Sequence, residues 1–256
     1  MANILILDIE TAPKIAYVWR FFKENIGAKQ VQQHGHIMSF AAKWLGKDEI
    51  IYQENRKSDD TAIVKSLVKL FDEADIVVAH NGDRFDFPQV MARALVHGIN
   101  PPSPYKIVDT LKVAKREFAF PSNSLMYLAK VLKCDEKEDH KKFPGFELWL
   151  ECLRGNEEAW QEMKVYNIQD VVTLEEIYLK MLPWMRQHPN VTVFNENDVP
   201  HCPKCNSEDL QWRGYAHTNV GTYHRFQCQG CGGWGRTRFT IRDKEEARNL
   251  VVHAVS

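Results

Sequence analysis

The pattern of apolar and polar positions divides the chain into strands and helices before any chemistry is considered. Ile4 to Leu7 are four aliphatics in a row ending at Asp8. A run apolar on both faces is what a central strand covered from both sides requires. Ile37 to Trp44 and Glu49 to Gln53 read as two further strands joined at Gly46, a hairpin continuing from the first. Two short strands follow at Ile76 to Ala79 and Tyr105 to Val108. Helical spacing predicts a helix over Thr61 to Phe71, burying Ile63, Val64, Leu67, Val68, Leu70 and Phe71, with Asp59 and Asp60 as N-cap candidates. Further helices are expected over Gln89 to His97, closed by Gly98, and over Ser124 to Leu132. A long one should run from Asn156 or Glu157 to about Met181, stopping before Pro183. Trp160, Met163, Val165, Ile168, Val172 and Ile177 can supply its core face. His34 and His36 fall in a loop, and Asp135 to Lys142 is a charge-dense loop whose His140, Lys141 and Lys142 could meet phosphate.

The 256 residues are 44% hydrophobic and 26% charged, an ordinary globular composition with room for one sizeable core and a small appendage. A net charge of −1 excludes a uniformly basic DNA-coating protein, so any nucleic-acid surface must be local. No stretch approaches 18 uninterrupted apolar residues, and the start lacks the features of a signal peptide, so a cytoplasmic protein with no membrane partner is expected. Four of the six cysteines form two C-x-x-C pairs near the carboxyl terminus, while Cys134 and Cys152 stand alone as expected buried thiols.

Acids recur where the predicted strands end. Asp8 and Glu10 are two apart, so on an extended chain both carboxylates face the same way, about 6 to 7 Å apart. Carboxylates that close repel unless a cation lies between them, although acids at strand ends are also common in plain turns. Asn81 and Gly82 mark a tight turn at a strand's carboxyl end, where ligands collect in open α/β sheets, and Asp86 follows on the first turn of a helix. Complementing the helix N-terminus is another use for that acid, and one Asp83 could equally serve. Tyr166 and Asp170 lie four apart on the long helix and so share a face, as a surface hydrogen-bonded pair would. Between Ala12 and His36, Tyr17, Trp19, Phe21 and Phe22 are interleaved with Lys14, Arg20, Lys23 and Lys29. Base stacking with phosphate pairing and amphipathic packing both fit that segment.

Taken in order, D-x-E (Asp8, Glu10), N-x-x-x-F-D (Asn81, Phe85, Asp86) and Y-x-x-x-D (Tyr166, Asp170) resemble the DEDD superfamily of 3′-to-5′ exonucleases in its tyrosine-bearing branch. The chain is similar there to the proofreading domain of family B DNA polymerases and to the DnaQ-like RNase H fold, over roughly residues 1 to 185. The resemblance implies an α/β protein with a mixed five-stranded sheet, three strands antiparallel and two parallel, flanked by helices. It implies a stand-alone nuclease of the kind encoded by bacteria and their phages. Four carboxylates can hold two Mg²⁺ or Mn²⁺ ions about 3.5 to 4 Å apart for in-line attack on phosphorus. By resemblance, Asp8 bridges both ions, Glu10 and Asp170 complete the nucleophile side, Asp86 acts largely through water, and Tyr166 orients the attacking water. Thr11, Asn81 and Phe85 would border the terminal nucleotide.

After an exonuclease domain over 1 to 189 and a linker over 190 to 200, a second unit spans 201 to 256. Cys202, Cys205, Cys228 and Cys231 supply a thiolate cage for one structural Zn²⁺, and so small a segment needs such a staple. Disulfides are disfavoured in a reducing compartment. With G-W-G-R-T-R-F after the second knuckle, the unit looks like a zinc ribbon. Eight Lys and Arg against five acids give it about +3, leaving −4 for the remainder of a chain with net charge −1. Arg236 and Arg238 are its candidate substrate contacts. Two functions follow as expectations. One is a metal-dependent 3′-to-5′ exonuclease, with DNA favoured over RNA and the ribbon gripping substrate. The other is a non-catalytic nucleic-acid-binding or recruitment factor whose ribbon docks onto replication or repair proteins. A binding-only module would have no use for a self-repelling acidic cluster.

Overall fold

The computed structural model describes residues 2–134 and 142–252. Asn3–Lys180 forms one unit, and the chain from Met181 onward forms another.

In the first unit the aliphatic run becomes β1 (Ile4–Thr11), followed by a short mutually paired β2 (Ile15–Ala16) and β3 (Val31–Gln33), then β4 (Ile37–Trp44) and β5 (Ile50–Glu54). Next come α1 (Thr61–Glu73), β6 (Ile76–Ala79), α2 (Asp86–Val96), β7 (Lys106–Asp109), α3 (Thr110–Glu117), α4 (Leu125–Leu132), α5 (Glu147–Leu153) and α6 (Glu157–Met181). The main sheet has the order β5-β4-β1-β6-β7. β4 pairs antiparallel with both β1 and β5, whereas β6 and β7 run parallel to β1. This is the expected mixed five-stranded sheet. Its parallel pairs need crossovers, which α1 and α2 provide.

Alternation along β1 assigns its two faces. Leu5, Leu7 and Ile9 join Phe40 and the α1 and α2 residues Ile63, Leu67, Phe71, Phe87 and Val90 in one apolar cluster. The rings of Phe71, Phe87 and Tyr105 meet there at 5.2 to 6.0 Å. Asp8 and Glu10 therefore fall on the opposite face, where a second cluster holds Ala12 and Met38 against Leu148 and Cys152 of α5 and Trp160 and Met163 of α6. Burial pushes the Cys152 thiol up to about 12, which makes it an inert core residue.

Several expectations need correction. The buried stripe of α6 runs through Trp160, Met163, Asn167, Asp170, Leu174 and Ile177, so Val165, two positions from both Met163 and Asn167, is exposed. α2 starts three residues earlier than expected, and α3 and α5 were not anticipated. Asp60 precedes α1 without capping it. Its wholly buried carboxylate accepts the Ile37 N–H at 2.9 Å, Arg93 Nε at 2.8 Å and Nη2 at 2.6 Å, and lies 2.6 Å from His97 Nε2. Burial alone would raise its pKa, but the Arg93, Ile37 and His97 hydrogen bonds hold it below the ordinary carboxylate range. Asp59 accepts the Thr61 N–H instead, at 3.0 Å. His140 and Lys141 lie outside the described residues; the neighbouring Lys142 pairs with Glu158 at 2.5 Å.

The second unit contains a three-stranded antiparallel sheet in the order β10-β9-β8, built from β8 (Leu210–His217), β9 (Thr222–Cys228) and β10 (Trp234–Arg236), with a short α7 (Lys244–Ala247) beyond it. Gly235 must be glycine, because a Cβ there would sit 2.3 Å from the Phe226 ring. The stretch expected as a linker includes a 3-10 turn, Val191–Phe194, and the Val191 N–H donates to the Pro203 carbonyl at 2.9 Å. Among the described residues no helix is long and apolar enough to cross a membrane.

Candidate active site

The carboxyl ends of β1, β6 and β7 lie at one edge of the sheet, and the acids singled out in the sequence gather there. Asp8 and Glu10 on β1 face α6, whose buried stripe presents Asp170. Carboxylate oxygens of these three all lie within 4.8 Å of one another. At that separation two unit charges repel by about 3.5 kcal/mol for an effective dielectric constant near 20.

Neighbouring side chains fix each carboxylate. Asn167 Nδ2, one turn before Asp170 on α6, donates to Asp8 Oδ2 at 2.6 Å and to the Asp8 carbonyl at 3.2 Å. The same amide accepts the Ser39 hydroxyl through Oδ1 at 3.0 Å, so a wholly buried Asn167 ties β1, β4 and α6 together. From α5, Trp149 Nε1 donates to Glu10 Oε2 at 3.1 Å, and its ring meets Tyr166 edge-on at 6.0 Å. Tyr166 hydrogen-bonds Asp170. Burial first, then the charges of Asp170, Glu10 and Asp8, push its phenol pKa far above the ordinary value. These donors are neutral and orient the carboxylates without cancelling their charge. Asn167 and Trp149 were not anticipated as site residues. A polar side chain on an otherwise apolar helical stripe was the available signal for Asn167, and nothing marked Trp149.

Asp86 stands apart from this trio. β1 shares register with β6 only over Ile4 to Ile6, so the Ile9 N–H extends past the end of β6 and donates to Asp86 Oδ1 at 3.2 Å. Burial, reinforced by the charge of Asp109, raises the Asp86 carboxyl to about 7 despite that hydrogen bond. The turn preceding it is closely constrained. Asn81 adopts φ +69°, and a Cβ at Gly82 would lie 2.6 Å from the Ala79 Cβ and 2.8 Å from the Phe87 ring. Asp109, at the end of β7, clamps the turn by accepting the N–H groups of Asn81 at 3.0 Å and Asp83 at 3.4 Å while capping α3 through Leu111 at 3.0 Å. His80 bridges Thr110 Oγ1 at 2.9 Å and the Asn123 carbonyl at 3.0 Å. Thr11 is half-buried at a bulge in β1, and Phe85 is exposed just before α2.

The donor sets can be tested against the metals they suggest. Oxygens sharing an ion at 2.0 to 2.1 Å lie about 3 to 4.2 Å apart, so the Asp8, Glu10 and Asp170 cluster fits a hard divalent cation after small adjustments. In the second unit Cys202 Sγ lies 3.7 Å from Cys231 Sγ, and Cys205 Sγ 3.5 Å from Cys228 Sγ. Tetrahedral zinc with Zn–S near 2.3 Å sets sulfurs about 3.8 Å apart, so all four cysteines fit one zinc ion. Burial raises Cys231 to about 11, whereas the Cys231 N–H and neighbouring thiols hold Cys228 below its ordinary value against burial. His201, next to the first knuckle, is not one of the four sulfur donors; its Nδ1 lies 2.7 Å from the Val199 carbonyl. Arg236 and Arg238 are both exposed in this unit, with the Arg236 guanidinium 3.8 Å over the Tyr223 ring and that of Arg238 5.4 Å from the Phe239 ring.

Comparisons with known proteins bear on the family and the fold. A family model described as the RNase_H superfamily matches residues 25–182, more than half of the chain. Among solved structures, the chain is similar to the family B DNA polymerase from the hyperthermophilic archaeon Pyrobaculum calidifontis, with a TM-score of 0.54 and 17% identity. The likeness covers 72% of this chain and only 25% of the polymerase, and at that identity it speaks for the fold. No curated protein matches in sequence.

Proposed function

The chain belongs to the RNase_H superfamily, and from that premise we propose that it is a metal-dependent 3′-to-5′ exonuclease, acting on DNA in preference to RNA. The observation that carries the reading is the trio Asp8, Glu10 and Asp170, three carboxylates drawn within 4.8 Å by strand and helix against their mutual repulsion. They would hold Mg²⁺ or Mn²⁺, with Asp86 contributing through water from its position on the Ile9 amide. Bound there, the ions would supply an activated water and neutralise the charge developing on the departing 3′ oxygen.

The chain's own residues do the rest. Asn167 and Trp149 hold Asp8 and Glu10 in place, so the ligand geometry is set before substrate arrives. Because the Tyr166 phenol stays protonated across the physiological range, it is a poor general base, and its role is to position the attacking water by hydrogen bonding. The turn at Asn81, the exposed Phe85 ring and Thr11 would border the terminal nucleotide. In the second unit one Zn²⁺ on the four cysteines would serve structure, since four thiolates leave no open position. Exposed Arg236 and Arg238 would pair with phosphates.

The test is end-labelled single- and double-stranded DNA and RNA incubated with the protein and Mg²⁺. Asp8→Ala and Asp170→Ala should each abolish stepwise release from the 3′ end while circular dichroism and zinc content stay unchanged. Cleavage within tenfold of the parent in either variant would remove these acids from the chemistry.

A further inference from the structure

One feature of the first unit serves neither the core nor the carboxylate site. Between β2 and β3 the chain forms a tip on which Trp19, Phe21 and Phe22 are 95%, 93% and 83% exposed and Tyr17 is also largely exposed. Amphipathic packing, one of the two uses open from sequence, does not hold for these rings. Large apolar rings held this far into solvent on one short segment point to a binding site.

The tip is a built structure. Glu24 accepts the N–H of Arg20 through Oε2 at 2.8 Å, and through Oε1 the N–H of Trp19 at 3.2 Å and the Gln30 amide at 2.9 Å. Gln30 also donates to the Tyr17 carbonyl at 3.0 Å and accepts the Gly27 N–H at 2.8 Å. The one acid of the segment is thereby turned onto its own backbone, while Lys14, Arg20, Lys23 and Lys29 leave the tip basic on a chain whose net charge is −1. Its root is fixed beside the carboxylates. β1 and β4 continue past Thr11 into the ribbon, with the Ala12 N–H on the His36 carbonyl at 2.8 Å and Ile15 opposite Gln33. Ala12 packs in the apolar cluster that Trp149 and Tyr166 border. Trp19 lies nine chain steps from Glu10, at most about 31 Å of extended chain, or about nine stacked nucleotides at 3.4 Å each.

Resting on the exonuclease reading, we propose that this aromatic tip is a stacking platform for unpaired bases of the strand whose 3′ end enters the carboxylate site. It selects single-stranded ends. The rings give sequence-independent stacking, and the interleaved cations meet the phosphates between the bases.

The experiment compares the full-length parent with Trp19→Ala alone and with the triple variant Trp19→Ala, Phe21→Ala, Phe22→Ala. Fluorescence anisotropy measures binding of phosphorothioate-linked, fluorescein-labelled dT12 and dT3 at several salt concentrations. Loss of one ring should weaken dT12 binding about tenfold and loss of three about a hundredfold, with dT3 binding weakened much less because a three-nucleotide strand offers few bases beyond those at the carboxylate site. The slope of log affinity against log salt should stay the same, since the cations remain. On cleavable dT12 the variants should raise KM and leave kcat within about twofold, because remote binding is lost without altering the reacting centre. Exposed rings contribute little to stability, and an unchanged melting temperature confirms that the variants fold. Equal dT12 affinity for parent and triple variant overturns the platform. So does retained dT12 affinity accompanied by lost association with phosphatidylserine vesicles, which would make the tip a membrane contact. A parent that binds dT12 through these rings but releases no nucleotide from cleavable DNA upholds the platform and refutes the exonuclease reading instead.

Discussion

Replacing Asp86 by asparagine should stabilise the protein at neutral pH when Mg²⁺ and Mn²⁺ are withheld and zinc is retained. In the fold the Asp86 carboxyl is 2% exposed and titrates at about 7, against about 3.9 in an unfolded chain. Between those values the native state binds more protons than the unfolded one, so stability falls as pH rises from about 4 and levels off above about 8. Three pH units at about 1.4 kcal/mol each put the full cost of ionising Asp86 near 4 kcal/mol, a visible fraction of a typical 5 to 15 kcal/mol total. Asparagine keeps an oxygen to accept the Ile9 N–H, 3.2 Å from Asp86 Oδ1 in the parent, and cannot ionise. The two proteins should thus be equally stable near pH 4 and diverge by up to roughly 4 kcal/mol at pH 8. Urea titrations followed by circular dichroism at half-unit pH steps measure the difference. Parallel pH profiles, or a variant less stable than the parent at pH 8, would refute the assignment of that titration to Asp86. The same variant should lose nuclease activity, trading function for stability as acids at metal sites do.

Asn167→Leu should lower cleavage about a hundredfold and weaken Mg²⁺ affinity roughly 10- to 100-fold, because Asp8 loses the donor that orients it; an Mg²⁺ titration of activity that leaves both unaltered would make Asn167 a packing residue only. Arg236→Glu with Arg238→Glu, in an Asp170→Ala background, should reduce the slope of log affinity for DNA against log salt by about two, one for each phosphate that no longer meets a guanidinium. Identical slopes would remove nucleic acid as the partner of these side chains and favour docking onto protein.

What the sequence made legible and what it hid follow from how far apart the partners lie. Asp8 and Glu10 are readable because a strand has a period of two, and the α6 stripe because a helix has a period of 3.6; neither needs knowledge of the rest of the fold. Asp109 is different. It looks like one more acid closing a strand, yet its carboxylate joins the turn after β6 to the start of α3, a role set by residues 28 positions away. α5 is seven residues long, too short for periodicity to declare it, and Trp149 on it reads as any core tryptophan until Glu10, 139 residues earlier, is brought against it.

Asn167 occupies the ground between these cases. Met163, Asn167, Asp170 and Leu174 lie on one helical stripe, and all are buried. A buried amide and a buried carboxylate interrupting such a stripe cost several kcal/mol unless each finds a partner. The helix tolerates the amide because it crosses β1 where Asp8 receives it, and the carboxylate because Tyr166, one turn earlier on the same helix, donates a hydrogen bond to it. The interruption therefore locates the crossing. Where a long apolar helical face turns polar over a single turn, a buried amide faces the acceptor that satisfies it, and in this chain that acceptor lies at the acidic end of the first strand.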